Sequence, residues 1–210
     1  MLTITNEDNM ELMARYPDKY FELAIVDPPY QIADNPSRNR GSGAGKLKNR
    51  ALNKAAKKFK SWDIKPNDEY FKELFRVSKN QIVWGGNYFH LPPTRGIIVW
   101  DKVQPFENFS QVELAWTSFD KPASLFKFDN RTGNKIHPTQ KPIQLYKWLL
   151  DKYAQKGDKI LDTHLGSMSI AIACLDYGFE LTGCEIDIDY FNAGMERINE
   201  YNKQTKLFTI

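Results

Sequence analysis

The chain has 210 residues, with 41% hydrophobic and 13% aromatic side chains and a net charge of +3, which fits one larger globular domain. No apolar run approaches the roughly 18 residues of a membrane span, and no signal-peptide pattern is visible, so we expect a soluble cytoplasmic protein without membrane contact. Two cysteines exclude a disulfide scaffold, and three histidines show no zinc-ligand spacing, so no metal site is predicted.

Strand-like apolar runs alternate with helical patterns along the chain, which is typical of an α/β fold. In chain order, the predicted strands are LTIT, LAIV, QIVWGG, GIIVW, VELAWTS, KILDT and ELTGCEI. The predicted helices span about residues 9–16, 68–78, 142–153, 169–177 and 189–202. We predict one domain over residues 1–210, with a basic insertion at about 36–62 and a long polar loop at about 120–142.

The strand LAIV runs directly into Asp27, Pro28, Pro29 and Tyr30. Each proline fixes its own φ angle and favours an extended conformation in the residue before it. The motif therefore predicts a stiff corner from which a carboxylate and an aromatic ring project together. Taken alone, it is equally consistent with a strand that ends in an ordinary turn.

The predicted insertion concentrates the positive charge of the chain. Residues 38–60 hold nine basic residues and no acidic one, while the rest of the chain holds 20 basic against 26 acidic residues. Such a segment suits phosphate backbones, although it is also compatible with a solvated loop without a partner. The residues predicted to contact DNA are Arg38, Arg40, Lys46, Lys48 and Arg50.

The motif HPTQKP, at residues 137–142, closes the predicted polar loop and precedes a helical pattern. Thr139, Gln140 and Lys141 offer hydrogen-bond donors near the helix start, where backbone amides also favour anions. A ligand carboxylate is therefore one interpretation, and a polar helix entry without a ligand is the other.

Residues 158–187 follow the order strand, glycine loop, helix, strand and acidic residue. In a doubly wound sheet such a loop faces a ligand, and the acidic residue accepts hydrogen bonds from a ribose. The chain contains neither GxGxxG nor a P-loop, which argues against a nicotinamide enzyme and an NTPase. An adenosine ligand without a pyrophosphate is favoured over a βαβ unit that binds nothing.

Three motifs occur in one order: Asp-Pro-Pro-Tyr after a strand, His-Pro-Thr-Gln-Lys-Pro before a helix, and a glycine loop after ILD. Together they resemble the S-adenosylmethionine-dependent amino-methyltransferases of DNA, specifically the N6-adenine enzymes of the permuted β class. The resemblance covers most of the chain. It implies a Rossmann-like α/β fold with three αβα layers and a mixed, mostly parallel seven-stranded sheet, whose antiparallel edge contains GIIVW and VELAWTS.

The resemblance also implies a role for individual residues. The catalytic motif would be Asp27, Pro28, Pro29 and Tyr30. The implied cofactor is S-adenosyl-L-methionine. Asp8 is expected near its adenine and Glu185 at its ribose. The residues expected around its methionine moiety are Asp162, Gly166 and Ser167, with Thr139 and Lys141 at the methionine tail.

The implied reaction is methyl transfer to the N6 amine of an adenine flipped out of DNA. Asp27 and the Pro28 carbonyl would accept the two amine N–H groups and localise a lone pair that is otherwise conjugated with the ring. Tyr30 would stack on the flipped base. DNA is the implied partner, and the family resemblance also raises a homodimer and a restriction endonuclease partner.

The cofactor loop departs from the family pattern, because Thr163 and His164 replace Pro-Phe and Met168 replaces a glycine. If residue 168 requires a positive φ, methionine would cost about 1–2 kcal/mol there. A catalytically inactive nucleic-acid-binding homologue is therefore an alternative. An RNA adenine methyltransferase is another, because the same chemistry suits an adenine that is already unpaired. N4-cytosine specificity is a third, although cytosine enzymes of the family more often carry serine at the position of Asp27.

Overall fold

The computed structural model describes residues 1–30, 64–105, 110–129, 135–137 and 139–207. The five predicted DNA contacts between Arg38 and Arg50 lie outside these ranges.

Eight strands and five α-helices alternate along the described part of the chain. The strands are β1 (Leu2–Thr5), β2 (Phe21–Val26), β3 (Ser78–Trp84), β4 (Ile97–Asp101), β5 (Val112–Thr117), β6 (Ser124–Lys127), β7 (Lys159–Asp162) and β8 (Glu180–Cys184). The helices are α1 (Asn9–Ala14), α2 (Asp68–Val77), α3 (Ile143–Tyr153), α4 (Ser169–Tyr177) and α5 (Ile188–Leu207), and a short 3₁₀ turn spans Gly86–Tyr88. None of the described helices is long and apolar enough to cross a membrane.

The strands form one mixed sheet in the order β1-β8-β7-β2-β3-β5-β4-β6. Strand β5 is antiparallel to both of its neighbours, and every other pair is parallel. The expected mixed, mostly parallel α/β sheet is therefore confirmed.

Two details of the predicted sheet were wrong. The structure has eight strands rather than seven, because β6 lies within the predicted polar loop at 120–142 and pairs with β4 in parallel. An edge strand of four residues with alternating partly buried and exposed side chains gives too short an apolar pattern to detect. Strand β4, which contains most of GIIVW, runs in the same direction as β2 and β3, so β5 alone is reversed.

Helices cover both faces of the sheet and create the three expected layers. Helices α3, α4 and α5 bury apolar residues on one face, whereas α1 and α2 do so on the other. Helix α2 illustrates the local cause. Its buried residues are Tyr70, Phe71, Leu74 and Val77, which share one side of a 3.6-residue helix, and the side chain of Asn67 accepts a hydrogen bond from the Tyr70 amide at its start.

The parallel pairing of β2 with β7 determines where the site forms. Leu23 pairs with Ile160 and Ala24 pairs with Leu161, so both strands end at the same edge of the sheet. Strand β8 continues this edge beside β7. The chain therefore leaves the Asp27 corner, the loop after Asp162 and Glu185 close together, although they are far apart in sequence.

Candidate active site

A cleft lies at this edge of the sheet and encloses about 780 Å³ of empty space, part of it open to solvent. The cleft is lined by Asp27, Pro28, Pro29, Tyr30, His137, Thr139, Gln140, Lys141, Tyr146, His164, Leu165, Gly166, Ser167, Glu185, Ile186 and Tyr190. Nine of the eleven residues predicted for catalysis and cofactor binding therefore line one cleft, and the exceptions are Asp8 and Asp162.

The carboxylate of Asp27 is held at both of its oxygens. The Tyr30 hydroxyl donates to Oδ1, and the Lys141 ammonium donates to Oδ2. Burial, reinforced by the negative charge of Asp27, raises the pKa of Tyr30 well above its ordinary value, so the phenol keeps its proton and remains a donor. Each carboxylate oxygen still has lone-pair capacity for a further donor, which leaves the group able to accept a substrate hydrogen bond.

The ring of Tyr30 is fixed by residues that the sequence reasoning left out of the site. Tyr88 stacks on it with centroids 5.0 Å apart and planes 11° apart, and Phe89 meets it nearly edge-on at 6.1 Å. Gly85, at φ +66°, lies against the same ring. The WGGNYF segment signalled this feature, because two adjacent glycines beside aromatic residues indicate close packing.

Lys141 reaches the cleft wall from the residue before Pro142, and only 2% of its side chain is exposed. Besides Asp27, its Nζ atom contacts Glu113 Oε2 at 3.3 Å. Glu113 also pairs with Lys102, whose Nζ lies 2.5 Å from Oε1. Lys141 was expected at a methionine tail, but its ammonium faces two carboxylates of the protein.

Glu185 presents its carboxylate to the cleft through two backbone contacts. The Gly166 amide donates to Oε2 at 2.8 Å, and the Asp187 amide donates to Oε1 at 2.9 Å. Burial raises the pKa of Glu185. With both oxygens fixed from behind, the remaining lone pairs of Glu185 are suited to accept hydroxyl donors.

The glycine loop and an aromatic pair form another part of the cleft lining. Gly166 lies so close to the imidazole of His137 that a Cβ atom added at this glycine would be 3.6 Å from the ring. The same imidazole packs edge-on against Tyr190, with ring centroids 4.3 Å apart. Thr139 lies beside the same imidazole, with Oγ1 3.1 Å from Nδ1. The backbone carbonyl of Ser167 accepts a hydrogen bond from Arg197 Nη1 at 2.6 Å, which fixes the end of the loop.

Asp162 and Asp8 lie behind the cleft wall. Asp162 is 1% exposed and accepts a hydrogen bond from the His164 amide at 2.9 Å. Burial raises the pKa of Asp162 to about 8. Asp8 caps helix α1, because its Oδ1 accepts a hydrogen bond from the Met10 amide at 2.7 Å. In this structure both residues shape the loops around the cleft.

The unusual loop residues Thr163 and His164 belong to a hydrogen-bonded chain. Thr163 Oγ1 lies 2.7 Å from the Tyr70 hydroxyl and 2.9 Å from His164 Nδ1. Asn9 donates to His164 Nε2 at 3.1 Å. Burial lowers the pKa of His164 to about 3, so the imidazole is neutral and donates from Nδ1 to Thr163. Polar residues at these positions thus connect the cofactor loop to α1 and α2.

Met168 has the left-handed backbone that the glycine pattern of the family predicted, with φ 57°. Its side chain is fully buried and packs against Gly194 of α5, where a Cβ would lie 2.6 Å from Sδ. The strain at Met168 is therefore accompanied by a packing contact that glycine at this position would lack.

Among the residues that the structure describes, no group of three or more histidine, cysteine, aspartate or glutamate side chains could hold a metal ion. Both cysteines are free and buried.

The fold resembles that of solved DNA methyltransferases. The M1.HpyAVI–SAM complex matches with a TM-score of 0.61 at 16% identity, over 95% of this chain and 100% of that chain. The PvuII DNA methyltransferase, described as cytosine-N4-specific, matches with a TM-score of 0.60 at 15% identity, over 96% and 93%. The chain has the Rossmann-like fold of S-adenosylmethionine-dependent methyltransferases.

Sequence comparison finds relatives for part of the chain. Residues 99–196 match the N6/N4 methyltransferase family model, described as DNA methylase. The chain is 33% identical to YubD of Escherichia coli (strain K12) over 67 residues, which is 32% of this chain and 30% of YubD. It is 29% identical to the type II methyltransferase M.HpaI of Haemophilus parainfluenzae over 86 residues, which is 39% of this chain and 27% of M.HpaI.

These matches span less than a third of each of these two relatives. The family match nevertheless begins within β4 and extends through the glycine loop into the first half of α5. The resemblance to DNA amino-methyltransferases is confirmed for this part of the chain.

Proposed function

We propose that the protein transfers a methyl group from S-adenosylmethionine to the N6 amine of an adenine flipped out of DNA. The proposal rests on one observation above all: the Asp27–Tyr30 corner shares a cleft with Gly166 and Glu185. A carboxylate beside an aromatic ring suits an amine-bearing base, and Glu185 suits a ribose. The DNA methylase match and the named activity of M.HpaI support the same reaction class.

The residues of the cleft fit this cofactor. Glu185 offers fixed carboxylate oxygens to two vicinal hydroxyls, and Gly166 has no side chain to obstruct a ligand. Ile186 and Tyr190 add apolar surface for an adenine ring. Thr139 and Ser167 offer hydroxyl groups for a methionine tail. When bound, S-adenosylmethionine supplies an electrophilic methyl group on a sulfonium.

The protein contributes orientation and fixed polarity to the reaction. Asp27 Oδ atoms and the Pro28 carbonyl accept the two N–H groups of the target amine, which concentrates its lone pair on nitrogen. Tyr30 stacks on the base, and such stacking is worth about 1–3 kcal/mol. Because Tyr30 and Lys141 already hold the carboxylate, little reorganisation is required when the base enters.

The remaining parts of the proposal concern the nucleic acid and its cellular setting. Arg38, Arg40, Lys46, Lys48 and Arg50 would contact the phosphate backbone of the DNA. A DNA substrate agrees with a cytoplasmic protein. The family resemblance extends the proposal to a homodimer and a restriction endonuclease partner, which light scattering and co-purification from the native host would test.

The decisive experiment measures transfer of a labelled methyl group to unmethylated genomic DNA, followed by nucleoside analysis. Wild-type protein should yield N6-methyladenine, and Asp27→Ala should yield none while binding S-adenosylhomocysteine with unchanged affinity in calorimetry. Full activity of Asp27→Ala would refute the catalytic assignment. N4-methylcytosine would reassign the base, transfer only to RNA would reassign the polymer, and absence of cofactor binding would indicate an inactive homologue.

A further inference from the structure

A chain of alternating charges connects strand β5 to the proposed catalytic motif. Lys102 contacts Glu113 at 2.5 Å, Glu113 contacts Lys141 at 3.3 Å, and Lys141 donates to Asp27. Glu113 lies on β5, where it pairs with Trp100 of β4. It is the one acidic residue in VELAWTS, but nothing in that strand pattern indicated a role in the site.

We infer that Glu113 is a positioning residue for methyl transfer, which holds the Lys141 ammonium against Asp27 and thereby fixes the carboxylate that receives the target amine. This inference rests on the function proposed above. It assigns no contact between Glu113 and either substrate.

The surroundings of Lys141 explain why it needs a second carboxylate. Its Nζ atom lies 5.1 Å from the centre of the Trp84 ring, and its side chain is almost wholly buried. A buried ammonium is costly unless it is paired and hydrogen-bonded. The Trp84 Nε1 atom, which has no hydrogen-bond partner in the described structure, is itself a donor and offers the ammonium no acceptor.

The two anchors of Lys141 differ in rigidity. Asp27 lies at the corner where β2 ends, whereas Glu113 is part of β5, which is hydrogen-bonded on both sides. Lys141 itself lies just before α3, among residues 139–142, which form neither helix nor strand. Glu113 therefore connects an irregular segment to the sheet, and its removal would let the ammonium and Asp27 change their relative position.

The electrostatic balance at Lys141 agrees with this role. Burial opposes the charge of Lys141, but Asp27 and Glu113 outweigh it and raise the pKa of Lys141 above its ordinary value. Burial likewise opposes the charge of Glu113, yet Lys141 and Lys102 outweigh it and lower the pKa of Glu113. Asp162, Tyr30, Tyr70 and Tyr146 also interact electrostatically with this cluster.

Removing the charge of Glu113 should have two measurable effects. The Asp27 carboxylate would lose its fixed orientation, and misplacement of about 1 Å can reduce a rate by about 100-fold. Lys141 would also lose one of two stabilising charges, so it would deprotonate at lower pH. We expect Glu113→Gln to lower kcat by about tenfold or more and to move the alkaline limb of the kcat–pH profile to lower pH.

The control is Glu22→Gln. Glu22 lies on β2, its side chain is 30% exposed against 29% for Glu113, and it also pairs with a lysine, Lys79, at 3.0 Å. It lies outside the cleft lining. Glu113→Asp provides a conservative variant that keeps the charge. The expected result is unchanged kcat in Glu22→Gln, partial activity and a near-normal alkaline limb in Glu113→Asp, and unchanged S-adenosylhomocysteine affinity in all three.

The inference is overturned if Glu113→Gln keeps the wild-type kcat and alkaline limb. It is also overturned if this variant loses cofactor affinity and activity in parallel, because that would indicate a general structural role. If wild-type protein methylates no nucleic acid, the proposed function fails separately. The pH titration of the Lys141 ¹³Cε signal by NMR then decides: a lower midpoint in Glu113→Gln supports the coupling, and an unchanged midpoint refutes it.

Discussion

Gly85 lies so close to the face of Tyr30 that a Cβ at Gly85 would be 2.2 Å from Tyr30 Cε1 and 2.6 Å from Cζ. No real side-chain carbon could occupy that position without moving the ring. The same glycine has φ +66°, a conformation that other residues adopt at a cost. The aromatic half of the proposed base site therefore depends on a residue that contributes no atoms of its own side chain.

This contact predicts that Gly85→Ala displaces the Tyr30 ring and reduces methyl transfer by about tenfold or more, since aromatic stacking on the base would be lost. Gly178→Ala is a matched control, because Gly178 has φ +74° and a Cβ there would meet nothing within 4 Å. Chemical denaturation should show an equal loss of stability from backbone strain in both variants. Steady-state kinetics should show a defect in methyl transfer in Gly85→Ala alone. Equal kinetics would contradict the proposed role of the ring.

Met168 and Gly194 should be energetically coupled. In wild-type protein, Gly194→Ala adds a methyl group 2.6 Å from Met168 Sδ, so we expect it to be destabilising by about 1–3 kcal/mol. In the Met168→Ala variant, the space next to Gly194 is no longer filled by the methionine side chain. Gly194→Ala should then stabilise α5 by up to about 1 kcal/mol, because alanine favours a helix more than glycine does. A double-mutant cycle by urea denaturation tests this change of sign. Additive effects would show that α5 shifts to accommodate the methyl group.

Asp162 predicts an unusual pH dependence of stability. Its folded-state pKa is about 8, against roughly 4 for an unfolded aspartate, so the folded protein retains a proton that the unfolded chain releases. Stability from this group is therefore fully present below about pH 4 and is lost as the pH rises towards 8.

Asp162→Asn keeps an oxygen acceptor for the His164 amide but has no proton to lose. Relative to wild type, its free energy of unfolding should improve by up to about 1.4 kcal/mol per pH unit between pH 4 and 8. Urea denaturation at several pH values measures this difference. If the difference in free energy of unfolding between Asp162→Asn and wild type is constant from pH 4 to 8, Asp162 ionises normally in the folded protein.

The basic segment predicts a strong salt dependence of DNA binding. Replacing Arg38, Arg40, Lys46, Lys48 and Arg50 with glutamine should reduce the slope of log K against log salt concentration by about 0.9 for each phosphate contact removed. Fluorescence anisotropy with duplex DNA at several salt concentrations provides the measurement. The control replaces Lys121 and Lys152, which lie outside the cleft lining, and should leave the slope unchanged. An unchanged slope in the first variant would exclude the segment as the phosphate contact.

Local patterns predicted the elements of this fold well, because helical and strand periodicity arise from neighbouring residues. The predicted helix at 169–177 agrees with the structure, and the other helix boundaries lie within a few residues except at the end of α5. The Asp27–Tyr30 corner was visible because prolines restrict the backbone locally. Strand β6 was missed because four residues give little periodicity.

Contacts between distant segments were harder to predict. Glu113 and Lys141 meet because β5 is reversed within the sheet, and Gly85 reaches Tyr30 because β3 pairs with β2. Neither pairing follows from the spacing of apolar residues along a single strand. Lys141 was expected at a methionine tail, and the sequence did not indicate that its ammonium contacts the carboxylates of Asp27 and Glu113. Glu113 reaches Lys141 from β5.

The strand order also affects how a ribosome-bound chain can fold. Among the described residues, strand β1 pairs with β8 alone, and Leu2 is opposite Leu181. One side of β2 pairs with β7. During synthesis these early strands emerge long before their partners. The backbone N–H and C=O groups on these edges therefore have no strand to pair with until the last third of the chain is available. Such distant pairing slows folding and prolongs exposure to aggregation. The same arrangement makes the cleft one of the last features to assemble, because Gly166 and Glu185, which line it, belong to the last third of the chain.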